Sequence, residues 1–537
     1  MDLDFALKSL LYAGGVGTLA TTAYVLLPYV VDPHHLREVP GPFIARLTNL
    51  WLAYWSAEGK RSERVHEQHL KYGKFVRIAP NHVSINDADA LPVVYGHGNG
   101  TLKPEFYDAF VASGVGVRGL FNTRNRAEHS RKRKIVSNVF AQKNVLSFEP
   151  HIIEALGKFI MQWDRMCVAG QRRESGSEQG GWRGDGDRVW LDCLPWYNYL
   201  AFDIIGDLAF GSPFGMLDAC ADTANAAVGG IAALKDSQDD ASLNIKTISV
   251  PAIRILNERG EYSATMGVLD PWMRPLLTRF VPWFAQGQQS VRNLSGLAVA
   301  AVARRLAQPS ERNDLLAKLQ NAIDEDGNPL GPEELTAEAL TQLIAGSDTT
   351  SNSSCAIAYY VAKYPRVQLK LQQELDAALP DDGVPTYEQL KRLPYLAAVI
   401  NEGLRLHSTS AMGLPRVVPE GGLSVAGHFF PPGAILSVPT YTLHRETTVW
   451  GADVDTFRPE RWLEEDQQLI QKTFNPFSWG PRACVGRNLA MMELQLIVAT
   501  TFRRYHVMLE SEDPLETREG FLRKPLYCRI GLKKRSL

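Results

Sequence analysis

The chain has 537 residues, of which 45% are hydrophobic and 22% charged, and a formal net charge of −2 at pH 7. This balance gives no indication of nucleic-acid binding, which usually shows as an excess of Lys and Arg. The six cysteines lie far apart in the sequence without a CxxC pair. We therefore expect neither a disulfide framework nor a structural zinc site, and a reducing compartment fits the cysteine usage.

The first predicted element is an uncharged segment of 23 residues, 9–31. About 20 apolar residues are enough to span a bilayer, and the basic residues that follow the segment predict a cytosolic body. A cleaved signal peptide is the alternative, but the segment is long for one and no A-x-A cleavage site follows it. We predict a membrane anchor over 1–36 and one catalytic domain over 37–537.

Further along, residues 74–86 and 421–440 are predicted to form short strands with turn residues between them. The Gly- and charge-rich stretch 170–187 is predicted to be a solvated loop. Most of the remaining sequence has helical periodicity. The expected fold is therefore mainly α with small β-sheets.

The longest predicted helix runs from Pro332 to about Lys363 and begins with a proline and two glutamates, which are typical of helix N-termini. Its centre, AGSDTTSNSS (345–354), is poor helix material, because glycine costs about 1 kcal/mol relative to alanine and hydroxyls compete for backbone carbonyls. Close helix packing at Gly346 is one explanation. The adjacent Asp348 and Thr349, a carboxylate beside a hydroxyl in an apolar span, favour the alternative, a functional site.

The segment NEGLRLH (401–407) places Glu402 and Arg405 three residues apart, so that on a helix they share a face and can pair. Most such pairs lie at the surface and contribute less than about 1 kcal/mol. Here the apolar residues around them favour burial, and Arg461 of FRPERW (457–462) could complete the network. We assign these three residues to structure and not to chemistry.

Residues 477–490, FSWGPRACVGRNLA, place Cys484 between two glycines and two arginines. A lone cysteine in a cytosolic protein is usually a small buried apolar residue. Here Gly480 and Gly486 permit unusual backbone torsions and close approach of a bulky group, and Arg482 adds a permanent positive charge. These features favour a reactive thiolate.

The order of these motifs resembles that of the cytochrome P-450 family, the haem-thiolate monooxygenases. The family patterns F-x-x-G-x-R-x-C-x-G, A-G-x-D-T-T, E-x-x-R and P-E-R are matched at 477–486, 345–350, 402–405 and 459–461. One pattern departs, because the usual W-x-x-x-R is here His129 and Arg133, although histidine can still donate to a carboxylate. The resemblance covers nearly everything after residue 36.

The resemblance implies the cytochrome P-450 fold and haem b as the cofactor, with the Cys484 thiolate as the axial ligand of the iron. It implies that Asp348 and Thr349 relay protons to dioxygen, and that a disturbed helix at Gly346 opens a groove for dioxygen and water. The other implied cofactor-binding residues are Phe477, Gly480, Arg482, Gly486, His129, Arg133 and Arg416.

Two other classes are compatible with a haem thiolate: an isomerase or dehydratase that needs no dioxygen, and a membrane haem-binding protein without catalysis. The former tend to lack the acid–alcohol pair, which this chain has. We therefore expect a monooxygenase with an NADPH-cytochrome P-450 reductase as its partner, since the chain shows no flavin or nicotinamide fingerprint. The basic stretch 131–134 is a candidate docking surface. The expected location is the endoplasmic reticulum membrane, single-pass, with the catalytic domain cytosolic.

A narrower resemblance concerns the substrate. The stretches 94–100, 118–134, 198–218, 407–416 and 517–526 look like the fungal benzoate para-hydroxylase family, which implies conversion of benzoate to 4-hydroxybenzoate. The loop 111–117 departs from that pattern, and the alternative is a related monooxygenase acting on a substituted aromatic. In the pocket we expect Ala345 to admit a flat ring and Met412 and Leu414 to form a wall. The carboxylate partner is expected in HSTS (407–410) or at Arg118.

Overall fold

The computed structural model describes residues 3–111, 117–178, 180–228, 246–307, 312, 314–324, 327–380, 383–464 and 467–536. The predicted departure from the benzoate pattern at 111–117 therefore lies largely outside the described residues.

The structure is mainly helical, as the sequence predicts. The helices are Leu3–Val31, Phe43–Leu47, Leu50–Ala57, Arg61–Tyr72, Ala90–Tyr95, Arg126–Val139, Gln142–Val145, Glu149–Gln171, Cys193–Phe210, Met216–Ala219, Ala252–Val268, Met273–Phe280, Pro282–Ala307, Leu315–Gln320, Pro332–Lys363, Pro365–Ala378, Tyr387–Leu390, Pro394–Leu406, Thr440–Leu443, Thr447–Trp450, Arg461–Glu464, Gln467–Thr473 and Arg487–Arg504, with 3₁₀ turns at Glu105–Phe110, Leu146–Phe148 and Gly480–Arg482.

The strands form small sheets. A four-stranded sheet has the order Phe75–Ala79, His82–Ile85, Ile435–Ser437 and Arg416–Val417, and a five-stranded sheet has the order Tyr505–Leu509, Arg529–Lys534, Val189–Asp192, Trp182–Gly184 and Ser175–Gly176. Two-stranded sheets pair Leu423–Val425 with His428–Phe430, Thr517–Glu519 with Arg523–Pro525, and Ala224–Ala227 with Thr247–Val250.

These sheets confirm the predicted strands within 74–86 and 421–440. The solvated loop predicted over 170–187 is only partly correct, because Ser175–Gly176 and Trp182–Gly184 form a hairpin there. The hairpin continues the five-stranded sheet through pairing with Val189–Asp192. Burial of Trp182, whose indole N–H donates to Glu178, explains why this stretch is ordered.

The long helix Pro332–Lys363 confirms the predicted bounds and is uninterrupted through its hydroxyl-rich centre. Two of its hydroxyls bond within the helix to the carbonyl four residues earlier: Ser347 Oγ donates to Leu343 O at 2.6 Å and Thr349 Oγ1 to Ala345 O at 2.6 Å. The helix packs against Cys193–Phe210, and its residues join the largest buried apolar cluster. It therefore forms a rigid wall through the centre of the molecule.

Within the described part of the chain, no helix is both long and apolar enough to cross a membrane. The transmembrane anchor predicted over 1–36 is therefore not supported. Those residues form the helix Leu3–Val31, in which apolar residues alternate with Gly, Thr and Pro28.

Candidate active site

Cys484 lies in a tight turn that presents its sulfur to an open space. The turn is closed by the Cys484 amide, which donates to Phe477 O at 2.8 Å, and is followed at once by the helix Arg487–Arg504. Gly480 has φ +71°, and a Cβ there would lie 2.0 Å from Tyr95 O, so only glycine fits. Gly486 has an ordinary φ of −83°. Its lack of a side chain therefore leaves room beside the sulfur and serves no unusual torsion.

Of the six cysteines, Cys484 is the one with an exposed side chain. Burial within the surrounding turn nevertheless raises the pKa of its thiol, while the Gly486 amide, Arg133 and Arg487 act in the opposite direction. A sulfur that is accessible and faces a backbone donor and two cations is suited to binding a metal as the thiolate.

Basic side chains from three separate segments lie close to one another beside the Cys484 turn. Arg482 Nη1 donates to Thr123 O at 2.7 Å, Arg133 Nη1 to Ala483 O at 2.5 Å, and Arg416 Nη1 to Tyr107 Oη at 2.7 Å. None of these arginines forms an ion pair with an acidic side chain of the described residues. The cluster therefore has positive charge that the protein itself does not neutralise.

Two further side chains lie in this cluster, and the positive charge around them contributes to lowering their pKa values. Burial, followed by the charges of Arg482, Lys103, Arg133 and Arg416, lowers the pKa of His129 to about 3, so this histidine is neutral and can donate a hydrogen bond. Lys103, which the sequence analysis missed, is 5% exposed, and its ammonium group donates to Phe121 O. Burial and the neighbouring arginines lower the pKa of Lys103 well below its usual value. We refer to Lys103, His129, Arg133, Arg416 and Arg482 as the cation cluster.

The long helix supplies an acid and an alcohol. Asp348 accepts a hydrogen bond from Asn352 Nδ2 at 2.8 Å, and burial raises the pKa of its carboxyl group. The Thr349 hydroxyl donates to Ala345 O and keeps its oxygen lone pairs free to accept. Ala345 is exposed in the middle of an otherwise mostly buried helix, so the helix faces an open space at this point.

The structure gives Gly346 the packing role that was the alternative explanation. A Cβ at Gly346 would lie 2.7 Å from Ile205 Cδ1 on the neighbouring helix, so glycine lets the two helices pack closely without displacing this side chain. The helix continues without a break through Gly346, so the structure does not support the predicted disturbance of the helix there.

Three phenylalanine rings from three separate segments pack together beside the helix Ala252–Val268. The ring centroids of Phe110 and Phe121 are 5.6 Å apart, those of Phe121 and Phe521 5.1 Å, and those of Phe110 and Phe521 4.8 Å, all edge-to-face. Met412 belongs to the same buried cluster. The Lys103 ammonium group lies 4.7 Å from the Phe121 ring centroid, so this aromatic cluster adjoins the cation cluster.

A comparison with protein-family models matches residues 40–530 to "Cytochrome P450". The chain belongs to the cytochrome P450 family. It is 48% identical over 534 residues to "Benzoate 4-monooxygenase bphA" of Aspergillus niger, with 98% of each chain covered. It is also 31% identical to "Cytochrome P450 monooxygenase ORF11" of Penicillium roqueforti over 91% of this chain and 93% of that protein.

As a cytochrome P450, the protein is a haem-thiolate monooxygenase, and the residues described above fit that cofactor. Haem brings two propionate groups, and the cation cluster offers unneutralised donors of the kind that bind carboxylates. The accessible Cys484 sulfur offers an axial ligand for the iron. The predicted fold, cofactor class and enzyme class are therefore confirmed.

Away from Cys484, three other cysteines of this cytochrome P450 lie close together, which their spacing in the sequence did not predict. The Sγ atoms of Cys193, Cys355 and Cys528 all lie within 4.8 Å of one another. Hydrogen bonds from Cys193 and then Cys355 lower the pKa of Cys528 to about 6. All three side chains are at most 3% exposed, however, so none presents a face that a haem could approach.

The predicted E-x-x-R network is confirmed and fully buried. Glu402 accepts hydrogen bonds from Arg405 Nε and Nη2 and from Arg461 Nε, each at 2.9 Å, and from Trp462 Nε1 at 3.0 Å. Burial opposes ionisation, but these donors hold the pKa of Glu402 below its usual value. This ion-pair network fixes the segment that precedes the Cys484 turn against the helix Pro394–Leu406.

Several predicted site residues are engaged elsewhere in this cytochrome P450. Arg118 pairs with Asp108, with Nη1 and Oδ1 2.7 Å apart, and it is therefore not a free anion partner. Leu414 packs with a different apolar cluster, beside the four-stranded sheet. In HSTS, Thr409 is within hydrogen-bonding distance of Ser353, Oγ to Oγ1 3.0 Å, and His407 contacts Arg523 O.

The basic stretch 131–134 is also less available than predicted. Arg131 pairs with Glu334, and buried Lys132 lies 2.8 Å from the same carboxylate. Arg133 points to Ala483 O. The helix Arg126–Val139 thus directs most of this charge inward, which gives no support to the stretch as a docking surface.

Proposed function

We propose that the protein hydroxylates benzoate at the para position, using dioxygen, two electrons and two protons, to give 4-hydroxybenzoate and water. The observation that supports this most is the cluster of Phe110, Phe121 and Phe521, which favours a flat aromatic substrate. Arg259 links this cluster to Asp348, because it contacts the Phe110 ring and interacts electrostatically with the Asp348 carboxyl group. The full-length similarity to a benzoate 4-monooxygenase favours benzoate among such substrates.

The proposed cofactor site places Cys484 on the iron and the cation cluster on the propionates. Phe477 lies partly buried against the core beside the Cys484 turn. The Gly486 amide and the Arg133 and Arg487 charges stabilise the thiolate against the cost of burial. When bound, haem supplies the activation of dioxygen and the transfer of one oxygen atom to the ring.

The proposed role of Asp348 and Thr349 is proton delivery. Because burial raises the pKa of Asp348, its carboxyl group holds a proton at a higher pH than a surface aspartate does. The Thr349 oxygen can accept a hydrogen bond while its own hydroxyl proton is directed to Ala345 O. On the release of that proton from Ala345 O, the hydroxyl can donate it to the reacting oxygen and be reprotonated from the Asp348 side.

The electron donor that we propose is an NADPH-dependent cytochrome P450 reductase. For the location we retain the endoplasmic reticulum membrane, with the catalytic domain over 37–537 in the cytosol, as a prediction. Its support is the exposure of apolar side chains on the first helix, where Leu19 is 72%, Leu27 59% and Val30 64% exposed. Fractionation of cells that express the full chain and a chain lacking residues 1–36 tests this proposal.

The proposed function is tested by incubating the purified haem-loaded protein with a reductase, NADPH and benzoate, and identifying the products. We expect 4-hydroxybenzoate, with one molecule formed per NADPH consumed. Consumption of a substituted neutral aromatic, with benzoate left intact, would favour the alternative substrate class.

A matched pair of variants tests the assignment of the ligand. Cys484→Ala should lose haem or the thiolate signature of the reduced carbon monoxide complex. Cys528→Ala should keep both, because its sulfur is enclosed with Cys193 and Cys355. The opposite pattern would move the iron ligand to the buried cluster.

A further inference from the structure

We infer that Arg259 binds the carboxylate of the aromatic substrate, at the edge of the cluster formed by Phe110, Phe121 and Phe521. This inference rests on the proposed function, because it assumes that the substrate is a small aromatic carboxylate. It assigns the anion site to a residue that no sequence motif marks.

Arg259 lies on the helix Ala252–Val268, and its side chain is directed to the aromatic cluster. It is 7% exposed, its Nη2 donates to Phe110 O at 3.3 Å, and its Cζ lies 5.5 Å from the Phe110 ring centroid. A guanidinium has five N–H donors. Within the described residues this is its one hydrogen bond, and no acidic side chain there forms an ion pair with it. The group therefore has unused donors.

The charges around Arg259 leave an excess of positive charge. Lys524, on the strand Arg523–Pro525, is also 7% exposed, and both cations act on the single carboxyl group of Asp348. Glu261 acts on Lys524 as well, but it is paired with Arg518, Nε to Oε1 3.0 Å. A buried cation without a partner is unfavourable. A bound carboxylate, together with Asp348, would provide two acidic groups for the two cations, Arg259 and Lys524.

A second unsatisfied group lies one helical turn from Arg259. The Ser263 side chain is fully buried, and its hydroxyl forms no hydrogen bond with the described residues. Residues four apart on a helix share a face, so this hydroxyl lies on the same side as the guanidinium. Unpaired buried hydroxyls are uncommon, and a bound carboxylate would offer this one an acceptor.

The chemistry of the neighbourhood fits benzoate. The three rings offer an apolar, aromatic surface to the substrate ring, while Arg259 at the edge of that surface offers charge-assisted hydrogen bonds to its carboxylate. Anchoring the carboxylate at one end directs the opposite, para carbon away from Arg259. The ring position that is hydroxylated would therefore depend on this residue.

The experiment measures, by equilibrium dialysis, the affinity of the haem-loaded full chain for labelled benzoate and for labelled benzamide. Arg259→Gln should weaken benzoate binding about 10- to 100-fold, because a hydrogen-bonded charge pair is lost, and change benzamide binding less than about threefold. Arg254→Gln is the matched control: Arg254 is on the same helix but exposed and paired with Glu258 at 2.9 Å. The control should bind both ligands as the wild type does.

Arg259→Lys keeps the charge but loses the planar fork of donors. Its preference for benzoate over benzamide should therefore lie between that of the wild type and that of Arg259→Gln. If Arg259→Gln does not retain haem, the lysine variant decides, and an unchanged preference there contradicts the inference. Benzoate binding by Arg259→Gln within threefold of the wild type also overturns it. A wild-type protein that binds no benzoate would instead refute the proposed function, and the inference with it.

Discussion

Replacement of Lys103 by Met is the sharpest test of the cation cluster. We expect it to leave the apoprotein as stable or more stable, but to weaken the binding of haem. In the protein alone, the Lys103 ammonium group lies 4.5 Å from the Tyr107 ring centroid, and burial, followed by the charges of the neighbouring arginines, lowers its pKa. Methionine fills a similar volume without charge. Exchange of a buried charged group for an apolar one is often neutral or stabilising by about 1–4 kcal/mol.

With haem bound, the same substitution removes a partner of a propionate. A hydrogen bond to a charged group contributes about 1.5–3 kcal/mol, which corresponds to a roughly 10- to 100-fold change in affinity. We therefore expect Lys103→Met to lose haem to an excess of a haem-scavenging apoprotein about 10- to 100-fold faster than the wild type. The apoprotein should be at least as stable to urea as the wild-type apoprotein.

Lys143→Met, at an exposed lysine, serves as the control and should change neither quantity. Haem loss from Lys103→Met at the control rate would refute the view that this residue faces the cofactor. A less stable Lys103→Met apoprotein would refute the view that the cluster carries uncompensated charge.

Three further substitutions test the remaining assignments. Thr349→Ala should retain haem but release peroxide at the expense of product, so that the product formed per NADPH consumed falls at least tenfold. Thr349→Ser should behave as the wild type. An unchanged yield of product per NADPH in the alanine variant would remove Thr349 from the proton path. Glu402→Ala should destabilise the fold by about 3–5 kcal/mol in urea unfolding, because two buried arginines lose their acid, whereas the exposed Glu388→Ala should cost less than about 1 kcal/mol; equal losses would contradict the buried network. Burial raises the pKa of Glu493 to about 7 from its usual 4.5, so the folded state binds more protons than the unfolded state between these values and stability falls as pH rises through them. Glu493→Gln should remove this fall in the free energy of unfolding, which is about 3 kcal/mol. The stability of the variant relative to the wild type should therefore be greater at pH 8 than at pH 5, and a difference that does not change with pH would show that Glu493 titrates normally.

The parts of the site that could be predicted from the sequence are those in which one short segment supplies all the constraints. The Cys484 turn is an example, because the hydrogen bond that closes it, from the Cys484 amide to Phe477 O, lies within the segment itself. The long helix is another, since its N-terminal signals and its end before Pro365 are local. The Glu402–Arg405 pair is set by helical spacing alone.

The parts that could not be predicted depend on distant segments meeting. Lys103 lies in a loop without any motif, and its importance shows only when three arginines from other segments surround it. Arg259 is one arginine in an ordinary helix until Phe110 and Asp348 are placed beside it. Likewise, Cys193 and Cys528 meet through the pairing of two strands far apart in sequence. Arg118 was chosen as an anion partner because its neutralisation by Asp108 is not visible in the sequence.

The central claim is that this cytochrome P450 binds benzoate in a pocket built for a small aromatic anion next to its haem. A spectral titration of the purified haem-loaded protein with benzoate, in parallel with benzamide, tests it most directly. We predict a saturable shift of the haem spin state with benzoate, and at least tenfold weaker binding of benzamide, because benzamide has no charge to pair with a buried cation. If benzoate leaves the spectrum unchanged while a larger neutral aromatic shifts it, the claim is contradicted.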